Sequence, residues 1–232
     1  MLMRQEQLIT DISDPARIEC VKDQIHTLYK QTDSGIFVAD PKCLYSDDVR
    51  SLGGFVATPD TFNVFTNRDR DNGDWMYYLF QLILYVCESV KGVQLSETEM
   101  DIIEDIVIRS VMKNASGCNL IHDLINELSV HPEFDYLIDL CNHSWFSGDC
   151  AFLSFSELCK FNRLICLDTS ALNEKYRQAA SVFSIAFAQR LKDGYRQLGK
   201  EINIFVDSDI RILSEQMPFL MDRLLKTEES GK

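Results

Sequence analysis

The chain has no basic stripe and no polybasic run. Its 232 residues hold 23 Lys and Arg against 36 Asp and Glu, for a formal charge of −13 and a pI near 4.7. Direct nucleic-acid binding works by neutralising phosphates and needs such a stripe, so it is not expected. Also missing is an apolar run long enough to span a bilayer, which takes roughly 20 residues. The most apolar stretch, Trp75 to Cys87, is shorter and is interrupted by Gln81. Charged residues in the segment Met1 to Gln7 occupy the place of a signal peptide's apolar core. We therefore expect a soluble, cytoplasmic protein whose membrane association is peripheral at most. The eight cysteines, at 20, 43, 87, 118, 141, 150, 159 and 166, form no Cys-x-x-Cys pair. The four histidines form no His-x-x-x-His pair and have no cysteines nearby at ligand spacing. This pattern suits reduced thiols better than a disulfide framework or a zinc site, and no metal site is expected. Without a Gly-x-Ser-x-Gly elbow, or a cysteine matched to a histidine by motif, nucleophilic catalysis has no support.

What is there is the material of an α/β protein. A hydrophobic fraction of 46% over this length fills one substantial core, or a core with one insertion. Leu8-Ile9-Thr10 is a strand candidate. Val21, Ile25 and Leu28 recur at helical spacing through 16 to 30, and Ile36-Phe37-Val38-Ala39 is a second β-rich run closed by Asp40-Pro41. Strand, helix, strand implies a parallel sheet with a crossover connection. Gly53-Gly54 breaks the chain before a third strand, Phe55-Val56-Ala57. From 66 to 146 four helices follow without a strand. The first carries Ile83, Val86 and Val90 on one face, and the second starts at the capping box Ser96-Glu97-Thr98-Glu99 with Ile103, Ile106 and Val107 inward. Shorter ones are expected at about 119–129 and 132–142. The sheet pattern resumes with Ala151 to Phe155 and Leu164 to Asp168. A long helix between Asn173 and Gly199, buried at its middle, leads into the strand Ile202 to Asp207 and a last helix at about 214–226. The expected division is an α/β core at 1–65 and 147–232, with a helical insertion at 66–146.

The strand ending at Asp207 has the character of those on which P-loop ATPases hold magnesium and their catalytic glutamate, but here Ser208 takes the glutamate's place. A serine cannot act as the base that positions water. At the N-terminal strand, aligning Gly-x-x-x-x-Gly-Lys-Ser/Thr gives Asp11, Ala16, Arg17 and Ile18. The glycines that let amides face phosphate are gone, and Ile18 cannot hold magnesium. Arg17 keeps a positive charge, but Asp11 and Asp14 oppose it. Two like charges at 4 Å repel by about 4 kcal/mol at an effective dielectric near 20, which outweighs one arginine contact. A plain strand-to-helix connection, with Ser13 or Asp14 as N-cap and Pro15 in the first turn, fits these residues better. Asp40 and Asp168 are expected at the carboxyl ends of their strands, the edge where open α/β sheets bind ligands. The Tyr77-Tyr78 and Trp145-Phe146 pairs lack basic neighbours and read as core or partner contacts rather than base-stacking platforms.

The order of segments resembles the motor domain of conjugative and type IV secretion ATPases of the TraC/VirB type. Phe37-Val38-Ala39-Asp40-Pro41, Tyr45 and Leu52-Gly53-Gly54 are similar to that family's Asp-Pro strand, tyrosine and Leu-Gly-Gly. Asn63-Val64-Phe65 loosely matches its Asn-Pro-Phe turn, Leu95-Ser96-Glu97 the start of its second inserted helix, and Leu167-Asp168 its Asp-ended strand. Phe205-Val206-Asp207 with Pro218-Phe219-Leu220 resembles its magnesium strand and following helix. The resemblance implies a P-loop NTPase-like, RecA-like α/β fold with a mostly parallel sheet and an all-helical insertion. It also implies a cytosolic part in DNA transfer or protein secretion, with secretion subunits or an active homologue as partners. The chain departs from the family at the chemistry, and it ends before the family's next core strand and polar sensor. The expectation is a degenerate, non-hydrolysing subunit without cofactor, in which Arg17 and Asp207 are vestiges of a nucleotide site. Two alternatives stand beside it: an active ATPase that uses Arg17, Asp207, ATP and magnesium in an atypical site, and an α/β scaffold unrelated to secretion.

Overall fold

A computed structural model describes residues 7–9, 15–58, 75–113, 127–128, 130–136, 155–172 and 177–207. The chain divides into two compact units, 1–58 with 155–212 and 59–154 with 213–232.

The first unit is built on a five-stranded sheet. Its strands are β1 (Gln7–Ile9), β2 (Gly35–Asp40), β3 (Phe55–Ala57), β4 (Leu164–Asp168) and β5 (Ile202–Asp207), in the order β1-β5-β2-β4-β3. All four pairings are parallel. Central β2 and β4 are buried at every position, as continuous apolar runs must be when helices cover both faces of a parallel sheet. Alternation along β2 sorts the two faces. Ile36 and Val38 pack with Val21 and Ile25 of helix α1 (Pro15–Gln31), and with Tyr45, Val49, Leu164 and Phe205. Phe37 meets Phe187, its ring 5.3 Å away, on the long helix Arg177–Gln197.

The sequence reading of these elements holds at β1 to β5, at α1 with Pro15 as its first residue, and at the long helix ending near Gly199. There the Gly199 N–H donates to Arg196 O at 3.0 Å and the Lys200 N–H to Tyr195 O at 2.9 Å. One expectation is corrected: Phe155 does not end a strand but opens a helix, Phe155–Phe161. The spacing of Ser154 and Glu157 is that of a capping box, a start signal that the apolar run 151–155 obscured. A second helix, α2 (Ser46–Ser51), falls in a stretch where the sequence showed only a break at the glycines. Numbered in chain order, the two helices described next in the second unit are α3 and α4, Phe155–Phe161 is α5 and Arg177–Gln197 is α6.

The second unit holds α3 (Trp75–Lys91) packed on α4 (Glu97–Lys113), and a 3-10 turn at Pro132–Phe134. Ile83, Val86, Ile103, Ile106 and Val107 are buried, as their periodicity requires. The capping box is formed: the Ser96 N–H and Oγ donate to Glu99 Oε2 at 3.0 and 2.8 Å, and the Glu99 N–H donates to Ser96 Oγ at 3.3 Å. A further hydrogen bond from Lys91, with those from Ser96, holds the Glu99 carboxyl down at about 2. The strand 151–154 and the helices at 119–126, 137–142 and 214–226 lie outside the described residues.

Candidate functional site at the carboxyl edge of the sheet

Register places Asp40 of β2 directly opposite Asp168 of β4. Ala39 pairs with Val206, so Asp207 follows in the same row on β5, facing Ile9 of β1. Three strands thus bring their terminal aspartates to one edge, where open α/β sheets bind ligands.

Asp40 is fully buried. Its Oδ1 accepts the Leu44 N–H at 2.7 Å, and its Oδ2 accepts the N–H groups of Tyr45 and Ser46 at 2.8 and 2.9 Å. These amides lead into α2, whose first backbone donors have no partner within the helix. A carboxylate on the neighbouring strand takes up that role, and the turn Pro41–Tyr45 wraps around it. Cys43 lies in this turn with φ of 56°.

Ser46 joins the two aspartates. Its buried Oγ lies 3.0 Å from Asp40 Oδ2 and 2.9 Å from Asp168 Oδ2, with Cys166 Sγ at 3.6 Å. Asp168 Oδ1 accepts the Ser170 N–H at 3.0 Å, and the Asp40 carbonyl accepts the Thr169 N–H at 3.2 Å. Burial raises the Asp168 carboxyl, but hydrogen bonds from Ser170, Ser46 and Cys43 outweigh it and hold the group below its ordinary 3.8. Burial, helped by the nearby Asp40 charge, pushes the Cys166 thiol up. For Cys43 burial is again first, with Asp168 adding to the rise. The buried Cys166 thiol is thereby kept in its protonated, less reactive form.

Because the folded-state value of Asp168 is depressed, its contribution to stability is complete above the unfolded value and is lost as pH falls through the folded one. Asp168→Asn should flatten the acid limb of a stability curve below pH 3.8. Urea titrations at a series of pH values would show it; an unchanged acid limb would contradict the hydrogen-bonded assignment.

Of the residues the sequence singled out, the structure joins Asp40 to Asp168. It places Arg17 in the first turn of α1 with an exposed side chain, and the Asp207 backbone at the end of β5. Ser208 and residues 10–14, where a phosphate loop would lie, are outside the described residues. Ser46, Cys43 and Cys166 were missed by the sequence reading. Ser46 followed by two acidic residues is a helix-start signal, but its contact with Asp168, 122 residues away, has none. Among the described residues no group of three or more His, Cys, Asp or Glu could hold a metal ion. No described helix is long and apolar enough to cross a membrane.

No family model matches the chain, and no curated protein does. Among solved structures the fold is similar to VirB4 of Thermoanaerobacter pseudethanolicus. The TM-score is 0.58 at 14% identity, covering 95% of this chain and 74% of that one. The parallel sheet with its flanking helices is thus a P-loop NTPase-like α/β fold.

Proposed function

We propose that the chain is a degenerate, non-hydrolysing ATPase-like subunit of a type IV secretion or conjugative DNA-transfer machine. In this reading it works in the cytoplasm through contacts with protein partners, such as secretion subunits or an active homologue. The observation that carries the reading is a sequence set inside a fold. In an architecture similar to VirB4, the sequence between β1 and α1 is Thr10-Asp11-Ile12-Ser13-Asp14, without glycine or lysine. Amides that would cradle phosphate need those glycines, and the outer phosphates need that lysine. The edge chemistry supports it too. Asp40 spends both carboxylate oxygens on the turn into α2, so this carboxylate works as a structural cap. The division into a motor-like core, 1–65 and 147–232, and a helical insertion, 66–146, belongs to the same reading.

Titration calorimetry with ATP and magnesium should give no saturable heat, and phosphate release should match buffer. Micromolar binding, or turnover abolished by Asp207→Ala, would overturn the proposal in favour of an active site using Arg17 and Asp207. That rival requires nucleotide-dependent protection of residues 8–18 in hydrogen exchange.

A further inference from the structure

We draw no further inference here: the strongest candidate, the side-chain cluster of Asp40, Ser46 and Asp168 with Cys43 and Cys166 at the carboxyl edge of the sheet, belongs to the site already described, where each carboxylate oxygen accepts a hydrogen bond from within the fold and nothing among the described residues points to a ligand.

Discussion

Replacing Asp40 by alanine should lower the free energy of unfolding by about 3–5 kcal/mol, the scale for breaking a buried charged network by deleting one partner. The carboxylate is fully buried and accepts three backbone N–H groups within 2.9 Å. Alanine leaves those donors facing a void from which they cannot turn away without unwinding the start of α2. Each unsatisfied buried donor costs roughly 1–3 kcal/mol, less than additively when they share one acceptor. Asp40→Asn is informative beside it. The asparagine keeps one acceptor oxygen but turns an NH₂ toward N–H donors, so it should recover less than half of the loss. Urea midpoints with an unchanged m-value would read both effects. A loss below about 1 kcal/mol for the alanine variant would mean that the turn holds itself without the carboxylate.

Gly54→Ala is expected to cost about 2–3 kcal/mol by overpacking. A Cβ at this position would lie 2.7 Å from Val49 Cγ1, 2.8 Å from Leu164 Cγ and 2.9 Å from the Leu164 carbonyl oxygen. Val49 and Leu164 are buried, and the carbonyl belongs to the central strand β4, so nothing there gives way cheaply. Neighbouring Gly53 has a different reason for being glycine. A Cβ there would meet nothing within 4 Å, but φ is +78°, the left-handed turn that ends α2 and lets the Gly54 N–H reach Val49 O at 2.9 Å. Gly53→Ala should therefore cost only about 1 kcal/mol, from backbone strain. For a chain of this size the Gly54 variant should melt roughly 4–12 °C lower. A melting curve in which the two variants shift equally would remove the steric account.

Together the two variants explain in physical terms a stretch the sequence offered only as a pattern. In Asp40-Pro41 through Leu52-Gly53-Gly54, the aspartate caps the turn and one glycine reverses the chain. The second glycine lets the returning backbone pass against β4. These are demands of packing, and they hold whether or not a nucleotide ever binds.

Much of the fold was legible because its signals are local. Apolar runs closed by aspartate gave β2, β4 and β5, since a strand buried on both faces has almost no other composition. Proline at a first turn marked the start of α1 and glycine the end of α6. The short α2 and α5 were missed, each because a stronger neighbouring signal masked it: a pair of glycines in one case, an apolar run in the other.

Taken alone, the residues determined the parallel α/β character, the helical hairpin at Ser96 and the absence of glycine and lysine from the segment between β1 and α1. The first two follow from side chains acting on their own backbone or on a near neighbour. Tertiary structure alone decided the order β1-β5-β2-β4-β3 and the meeting of Asp40, Ser46 and Asp168. Strand order and cross-strand register join residues more than a hundred positions apart, and no periodicity within a window can record which distant strand comes to lie alongside.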